Sequence, residues 1–357
     1  MIDVGLIGFG LGGRSFHAPV IRSVPGLRLA AILQRGGSDA ARQYPDVRIV
    51  RSLDELLALP DIRLIVVATP NDSHYSLARQ CLLAGRDVLV DKPFTTSLED
   101  AAALVRLAKE RSLIVTVYHN RRYDPDFAAI RKLVAAGTLG RIVRLEVNYD
   151  RYRPQLKPGA WREGRGPGAG IFFDIAPHLI DYALQLFDLP ESLTADIRTE
   201  RECAAADDAF DVAFHYPRGL RVDLRSSILA AAGRPHFVLH GTLGAFIKHT
   251  VDPLEHNLRF GLVQPGLPWS SEPEEHWGVL TFAAEDGNLT PRRVPPETCD
   301  YRDFYTNLRD ALLGKTPLAV GPEYALDVMR LLELARHSNA EGRTISFSRT
   351  PSSALAL

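Results

Sequence analysis

Short apolar segments alternate with helix signals along the first third of the chain. The apolar segments cover residues 2–7, 27–33, 64–68, 87–90 and 113–117. Because neither face of these segments is polar, they predict strands of a parallel sheet that is covered on both sides. Between them, S/T-x-x-E patterns that begin at Ser52 and Thr96 predict helix starts, and Gly85 predicts a helix end. This repeated order of strand and helix predicts a doubly wound α/β sheet with right-handed crossovers.

The pattern changes after about residue 118. Apolar and polar residues alternate strictly over 143–150, and the same period of two returns over 210–216 and 220–225. Such alternation predicts strands with one wet face, so the second part is expected to be an α+β domain with a large, mainly antiparallel open sheet. Helices are expected near 126–136, near 171–187 and twice towards the C-terminal end. We predict two domains, 1–118 and 119–357, with the last helices able to pack back on the first domain.

Composition and charge exclude several classes of protein. The 357 residues include 42 Lys plus Arg and 43 Asp plus Glu, and 46% are hydrophobic. A net charge of −1 lacks the electrostatic footprint of a nucleic-acid binder, so no nucleic-acid partner is expected. No apolar run approaches the roughly 18 residues of a membrane span, and the N-terminus is expected to be a strand rather than a signal peptide. Three separated cysteines favour a reduced, cytoplasmic protein.

A glycine-rich motif follows the first predicted strand and precedes a predicted helix. It consists of Gly8, Phe9, Gly10, Leu11, Gly12 and Gly13 and matches G-x-G-x-x-G. In a Rossmann fold, the first glycine allows a tight turn, the second lets the backbone approach a pyrophosphate, and the last lets helix and strand pack closely. The motif therefore predicts a dinucleotide site; the alternative is a glycine-rich turn that binds nothing.

The end of the second predicted strand bears on the choice of cofactor. An acidic residue about 20 residues after the motif would bond a ribose 2′-hydroxyl, but here the strand runs into Gln34 and Arg35 without an acid until Asp39. A guanidinium suits a 2′-phosphate because it offers planar, bidentate donors. The sequence therefore favours NADP, with NAD as the alternative, unless Arg35 is an ordinary surface arginine.

Further motifs lie where predicted strands end. They cover residues 68–74, 90–93, 119–125, 168–170 and 174–178. Together with the glycine motif they resemble the Gfo/Idh/MocA family of glucose-fructose oxidoreductases and inositol dehydrogenases over nearly the whole chain. Residues 13–19 and 170–174 are most similar to the NADP-linked scyllo-inositol dehydrogenase branch. The resemblance implies hydride transfer between a nicotinamide cofactor and a hydroxyl group of a polyol or sugar, and pairing through the second sheet into a homodimer or homotetramer.

Two residues depart from the family pattern. Asp91 stands where the family has a glutamate, so its carboxylate is one methylene closer to the backbone. Ala176 replaces a glycine and is small enough that no loss of function is expected. The resemblance also implies a cis peptide bond between Lys92 and Pro93.

Lys92, Asp174 and His178 are the predicted catalytic residues, and they also contact the substrate. His178 is the candidate general base because an imidazole titrates close to neutral pH. Lys92 would stabilise the developing alkoxide, and Asp174 would orient the substrate or the imidazole. Asp174 and His178 are spaced i, i+4 and share a helix face, provided that the helix begins just upstream of Pro177. Alternatively, the lysine is a solvated residue and the Asp/His pair only stabilises a helix.

Weaker candidates surround these residues. Thr69, Asn71 and His74 are expected to line the cofactor, although His74 could instead cap the helix that starts near Ser73. The remaining cofactor candidates are Asp91, Asn120, Trp161 and Arg162, with Trp161 alternatively an aromatic residue of the rim or core. Tyr152 is expected to face the substrate or, alternatively, to lie at a sheet edge.

Other charged residues leave two interpretations open. The arginines 121, 122, 151 and 153 suit an anionic ligand, but surface pairing with Asp124 and Asp150 explains them as well. The histidines His236, His240, His249, His256 and His276 lack the spacing of a metal site, so none is expected. Alternatives to an inositol-dehydrogenase-like enzyme are another sugar or diol dehydrogenase of the same fold and an NADP-binding regulator without turnover.

Overall fold

Six parallel strands form the first sheet of the computed structural model, which describes residues 1–157, 159–264, 266–283 and 288–348. They are β1 (Ile2–Ile7), β2 (Leu27–Leu33), β3 (Arg48–Val50), β4 (Ile62–Val67), β5 (Asp87–Val90) and β6 (Val115–Val117). The strand order is β3-β2-β1-β4-β5-β6. Because the order reverses direction between β1 and β4, their loops diverge and open a crevice at the carboxyl edge of the sheet.

The first sheet differs from the prediction in its edge strands. The sequence predicts no strand at β3, which has three residues, only one of them fully buried, and therefore carries little apolar signal. β6 is also shorter than predicted, and β4 starts at Ile62 rather than at residue 64. Strands β1, β2 and β5 have the predicted bounds because all three are apolar segments in the middle of the sheet.

Five α-helices accompany the first sheet. They are α1 (Ala18–Ser23), which continues a π-helical segment Gly12–His17, and α2 (Asp39–Gln43), α3 (Leu53–Leu57), α4 (His74–Leu83) and α5 (Leu98–Glu110). Ser52 caps α3 as predicted, by accepting the Glu55 amide. The cap of α5 is Ser97 rather than Thr96, and it accepts from Asp100, because the helix starts one residue later than the pattern suggested.

The second sheet has nine strands and is mostly antiparallel. They are β7 (Ile142–Asn148), β8 (Ser192–Arg198), β9 (Ala209–His215), β10 (Arg221–Ser227), β11 (Phe237–Gly241), β12 (Gly244–Lys248), β13 (Gly278–Ala283), β14 (Leu289–Val294) and β15 (Ile345–Ser346). Their order is β14-β13-β12-β11-β7-β10-β9-β8-β15, with β7 and β10 parallel. The helices are α6 (Pro125–Ala135), α7 (Gly170–Phe187), α8 (Leu254–Phe260), α9 (Tyr301–Leu312) and α10 (Pro322–Glu341).

Helices α9 and α10 return to the first sheet. Tyr305 of α9 bonds His17 at 2.7 Å. Just before α10, the Val320 carbonyl accepts the Thr116 hydroxyl of β6 at 2.7 Å. The first sheet ends at Val117, and the second begins at Ile142. This arrangement supports the proposed domain boundary after residue 118 and the return of the last helices.

The two faces of the second sheet differ in character. The inner face buries apolar side chains such as Leu145, Phe210 and Leu224 against α7 and its neighbours. On the outer face, Arg144, Glu146, Asp223 and Arg225 form a lattice of ion pairs over β7 and β10. Next to the lattice, Val238, Ile247 and Val279 lie side by side across three strands and are only partly buried. The outer face therefore combines a charged half with an apolar half.

Three carboxyl groups are buried together beside α6. The ligand atoms of Asp124, Asp126 and Asp252 lie within 4.8 Å of one another. Burial, and in each case the charge of another member, raises the pKa of all three carboxyls to about 7. Asp124 accepts hydrogen bonds from Tyr182 and Tyr301, whereas Oδ2 of Asp126 has no partner among the described residues. The cluster is therefore most stable when it holds protons.

Replacing Asp126 should stabilise the fold most at alkaline pH. The folded-state pKa of Asp126 lies above its unfolded-state value. The Asp126 carboxyl therefore contributes stability that is fully present below about pH 4 and is lost as the pH rises through about 7. Asp126→Asn removes the charge, so its unfolding temperature should exceed that of the parent by an amount that grows from pH 5 to pH 8. Scanning fluorimetry across this range measures the difference, with the exposed Asp61→Asn as the control. Parallel curves for parent and Asp126→Asn would contradict the assignment.

Candidate active site

The glycine motif forms a tight turn between β1 and the π-helical segment. Gly8 has φ +97°, and a Cβ there would lie 2.4 Å from the Ala68 carbonyl oxygen. A Cβ on Gly13 would lie 2.1 Å from the Gly8 carbonyl oxygen. At Gly10, in contrast, a Cβ would meet nothing within 4 Å, so the backbone there is open to a ligand. The turn thus has the close packing and the open approach that a pyrophosphate group needs.

Two adjoining cavities lie at the carboxyl edge of the first sheet. The turn cavity, about 660 Å³, is lined by Gly8, Phe9, Gly10, Leu11, Gly12, Gln34, Arg35, Arg51 and Thr69, among others. The cleft cavity, about 300 Å³, is lined by Lys92, Asn120, Arg151, Asp174 and His178, among others. Leu11, Gly12, Asp91, Trp161 and Arg162 line both cavities. Both volumes lie in or at the edge of the usual range for small-molecule sites.

Three residues after strands β2 and β3 line the turn cavity. Gln34 and Arg35 were predicted from the sequence, and Arg51 was not. Gln34 uses its side-chain oxygen to accept the Ala40 amide of α2, while Arg35 is exposed on the wall of the turn cavity. Arg51 donates to the carbonyls of Gln34 and Gly37 at 2.7 and 2.9 Å. Arg51 therefore fixes the loop that carries Arg35. No local pattern indicated Arg51, because it directly follows the unpredicted strand β3.

Lys92 and Asp174 meet across the two domains. Nζ of Lys92 lies 2.9 Å from Oδ1 of Asp174 and also donates to the Asp174 carbonyl. Arg162 and Arg151 approach the same carboxylate at 3.4 and 3.7 Å. Although burial alone would raise the pKa of Asp174, these three cations hold it well below its usual range. Asp174 is therefore a carboxylate at neutral pH.

His178 follows one turn later on α7 and is only 5% exposed. Its Nδ1 has no hydrogen-bond partner among the described residues. Burial, together with nearby positive charges that include Lys92, lowers the pKa of the imidazole well below its ordinary value. The ring is therefore neutral at pH 7.

Pro177 lies inside α7, not near its start. The helix begins at Gly170, seven residues upstream, so the expectation that Pro177 requires a nearby helix start was wrong. Proline lacks the amide hydrogen that would bond the Phe173 carbonyl, so the helix lacks one backbone hydrogen bond at that level. The neighbouring Asp174 carbonyl accepts the hydrogen bond from Lys92 at this point.

Asp207 holds the N-terminus of α7, and sequence reasoning missed it. Its Oδ1 accepts the Phe172 amide at 2.7 Å, and its carbonyl accepts the Ile171 amide. Gly170 makes this contact feasible, since a Cβ there would lie 2.1 Å from an Asp207 carboxylate oxygen. Asp207 is 35 residues from the amide that it caps, so no local motif indicates its role.

Asp91 occupies the wall shared by the two cavities. It accepts the Lys92 amide at 2.8 Å, and its other oxygen lies 3.6 Å from the His17 ring. Burial would raise the pKa of this carboxyl, but His17 and Lys92 lower it below its usual value. The Lys92–Pro93 bond that follows is cis, as the resemblance implied.

The other predicted contact residues divide into two groups. Thr69 lines the turn cavity, Asn120 lines the cleft cavity, and Arg162 lies over the Trp161 ring at 4.4 Å on the shared wall. The structure does not bring Asn71, His74 or Tyr152 to either cavity.

Asn71, His74 and Tyr152 are engaged elsewhere for identifiable reasons. Asn71 donates to the Gly168 carbonyl, and both ring nitrogens of His74 contact backbone carbonyls. Tyr152 is 59% exposed, because the alternation that places Tyr149 inside also places Arg151, not Tyr152, on the inner side.

Arg121 and Arg122 are buried, so the interpretation as surface arginines was wrong for them. Arg121 lies 3.1 Å from Asp124 and also contacts Glu255, and Arg122 pairs with Asp181. Asp150 pairs with Arg234 instead of with the neighbouring arginines 151 and 153. Burying a guanidinium requires such a partner.

The fold brings together three carboxyl groups that the sequence did not indicate as a metal site. Within the described ranges, one group of side chains could hold a metal ion, namely the Asp124, Asp126 and Asp252 cluster. The spacing argument considered histidines only, and none of the five belongs to this cluster. None of the three aspartates lines either cavity.

In the part of the chain that the structure describes, no helix is long and apolar enough to cross a membrane.

Both parts of the chain match models of known protein families. Residues 2–119 match the model of an oxidoreductase family with an NAD-binding Rossmann fold, and residues 127–247 match the GFO/IDH/MocA C-terminal domain. The uncharacterized oxidoreductase YdgJ of Escherichia coli is 40% identical over 96% of this chain and 98% of its own. The scyllo-inositol 2-dehydrogenase (NADP(+)) IolW of Bacillus subtilis is 33% identical over 96% of this chain and 95% of its own.

Solved structures agree with these matches. The structure of yvaA from Bacillus subtilis superposes with a TM-score of 0.93 at 33% identity, over 97% of this chain and 98% of that one. An oxidoreductase from Bacillus cereus superposes with a TM-score of 0.88 at 30% identity, over 98% and 99% of the two chains. The fold, the two domain matches and the full-length relatives agree, and the chain therefore belongs to the Gfo/Idh/MocA family of oxidoreductases.

Proposed function

We propose that the protein is an NADP-dependent dehydrogenase that acts on a secondary hydroxyl of a cyclitol or sugar. The observation that carries this proposal is the meeting of Lys92 and Asp174 at 2.9 Å beside His178, in a cavity that shares a wall with the glycine-turn cavity. IolW, whose name states a scyllo-inositol 2-dehydrogenase linked to NADP, supports the choice of substrate and cofactor.

The side chains supply the proton chemistry that alcohol oxidation needs. When bound, the nicotinamide cofactor accepts the hydride from the carbon that carries the hydroxyl. His178, which is neutral and lines the same cavity as Lys92, takes the hydroxyl proton. Lys92 donates to the substrate oxygen and stabilises negative charge as it develops. Asp174 keeps the lysine ammonium in place.

The turn cavity has a cationic patch suited to a 2′-phosphate. Arg35 is exposed there, and Arg51, which lines the same cavity, holds its loop by donating to the Gln34 carbonyl. Gln34 stands where an acid would bond the free 2′-hydroxyl of NAD, and its side chain is occupied by α2. NADP is therefore the cofactor that this wall suits best.

The apolar half of the outer sheet face suits a second copy of the chain. Val238, Ile247 and Val279 form a row across three antiparallel strands, and the ion-pair lattice flanks it. A row of this kind pairs with its own copy in an isologous contact. We therefore propose a homodimer or homotetramer.

We also propose that the protein is cytoplasmic, on the grounds of its three separated cysteines.

Two other functions differ from the proposed one in ways that can be measured. Another sugar or diol dehydrogenase of the same fold would use the same residues and differ in its substrate. A regulator that binds NADPH without turnover would not need Lys92 and His178 to line one cavity. Tight NADPH binding without activity on a broad panel of polyols and aldoses would favour the regulator.

Removing either catalytic side chain should abolish most turnover but spare cofactor binding. Lys92→Ala removes the charge that stabilises the alkoxide, and His178→Ala removes the proton acceptor. Each should lower kcat by roughly 100-fold or more, while the Kd for NADPH changes by less than about 3-fold. Absorbance at the NADPH band and fluorescence titration measure the two effects. The exposed His249→Ala serves as the control, and near-normal turnover in either catalytic variant would refute the role of that residue.

Arg35 should determine cofactor preference. Arg35→Ala removes the guanidinium from the 2′-phosphate position and should reduce the preference for NADPH over NADH by roughly 10- to 100-fold. The loss should fall on NADPH, with the KM for NADH nearly unchanged. Arg42→Ala, which changes an exposed arginine of α2 outside the cavity, is the matched control. An unchanged NADPH affinity would make Arg35 an ordinary surface residue.

Light scattering should report two or four chains per particle. Ile247→Glu places a charge in the middle of the apolar row and should shift the population to single chains that keep the far-UV circular dichroism of the parent. Leu313→Glu, at an exposed position after α9 and outside the second sheet, should leave the assembly intact. A parent protein that is monomeric at micromolar concentration would refute the proposed assembly.

A further inference from the structure

Positive charge exceeds negative charge on the wall of the cleft cavity. Lys92, Arg151 and Arg162 all face the single carboxylate of Asp174, at 2.9, 3.7 and 3.4 Å. Three cations around one carboxylate leave positive potential inside a partly enclosed space, where screening by water is weak.

A second group of arginines shares another carboxylate. Glu255 contacts Arg121 and lies 3.6 Å from Arg259. Arg121 is satisfied in addition by Asp124 and by the Tyr149 hydroxyl. Arg259, on α8, has only this one distant carboxylate among the described residues and is exposed at the mouth of the cavity.

Arg153 has no carboxylate within 4.0 Å among the described residues. It lines the cleft cavity and is exposed at the mouth. Partial burial and the like charges of Arg151 and Arg259 lower the pKa of its guanidinium. Three arginines from two different elements are therefore crowded on one side of the cavity, although their mutual repulsion opposes this arrangement.

The alternation of β7 explains how two of these arginines reach the cavity. Leu145, Val147 and Tyr149 point to the inner side of the sheet, and the same period of two carries Arg151 and Arg153 to that side beyond the end of the strand. Apolar residues thus give way to guanidinium groups where the strand leaves the core and meets the cavity.

The cofactor does not account for these three arginines. Its phosphates belong with the glycine turn and Arg35, which line the turn cavity. Arg162 lies on the shared wall and can serve either cavity, whereas Arg151, Arg153 and Arg259 line the cleft cavity alone. Arginines on the substrate side of the site are suited to bind an anionic group of the substrate.

We propose that the substrate carries an anionic group, a carboxylate or a phosphate monoester, in addition to the hydroxyl that is oxidised. Arg151, Arg153 and Arg259 bind the anion while Lys92 and His178 meet the hydroxyl. This inference rests on the proposed dehydrogenase function and narrows its substrate class to sugar acids or sugar phosphates. A neutral cyclitol offers no partner for these arginines.

Matched pairs of neutral and anionic substrates test the proposal. With NADP, kcat/KM is measured for sorbitol against gluconate, and for glucose against glucuronate and glucose 6-phosphate. The anionic member should exceed its neutral partner by roughly 10-fold or more, mainly through a lower KM. Glucuronate and glucose 6-phosphate distinguish a carboxylate site from a phosphate site. Equal efficiency of neutral and anionic members would overturn the proposal and leave the dehydrogenase function standing.

Variants assign the discrimination to the arginines. Arg153→Ala and Arg259→Ala should each reduce the ratio of anionic to neutral kcat/KM by about 10-fold, and the ratio should also fall as salt is raised. Arg292→Ala, an exposed arginine of β14 outside the cavity, should keep the parent ratio. Parent ratios in both test variants would overturn the assignment.

Binding separates this proposal from the proposed function. Calorimetry measures the affinity of gluconate and sorbitol for the protein saturated with NADPH. Gluconate binding that weakens in Arg153→Ala, without turnover of any substrate, would establish the anion site and overturn the dehydrogenase. Gluconate binding no tighter than sorbitol binding would overturn the anion site.

Discussion

The ion pair between Lys92 and Asp174 is the contact on which the arrangement of the site depends. Lys92 follows strand β5 of the first sheet and Asp174 lies on helix α7 of the second domain, so their contact links the two domains at the cavities. The two residues are not equivalent. Loss of the lysine leaves the carboxylate with two arginines, whereas loss of the carboxylate leaves three cations together.

Helix α7 is adapted to place Asp174 and His178 in a mostly apolar element. Nearly all of its first fifteen residues are buried, so its position is set by packing. Its free N-terminal amides are satisfied from a distant loop by Asp207, which Gly170 allows to approach. Pro177 leaves the Phe173 carbonyl without its helical donor, and Lys92 donates to the next carbonyl, that of Asp174. Capping, packing and the proline together determine where Asp174 and His178 lie.

Local patterns predicted much of this site, and distant contacts explain the rest. The glycine turn, Lys92 and the i, i+4 pair of Asp174 and His178 each follow from residues that are close in sequence. Asp207, Arg51 and Glu255 act on residues far along the chain, so no short motif could identify them. Arg151 was named from the sequence as suited to an anionic ligand, and continuing the alternation of residues 143–149 places it, rather than Tyr152, on the inner side of the sheet.

The return of α9 and α10 to the first sheet has a consequence for folding during synthesis. Strand β6 is complete at residue 117, but the hydroxyl of Thr116 finds its partner at residue 320, and His17 finds its partner at residue 305. The first sheet therefore leaves the ribosome long before the segment that covers its edge. Until then its apolar edge is exposed and prone to aggregation, and the N-terminal domain reaches its final form only near the end of translation.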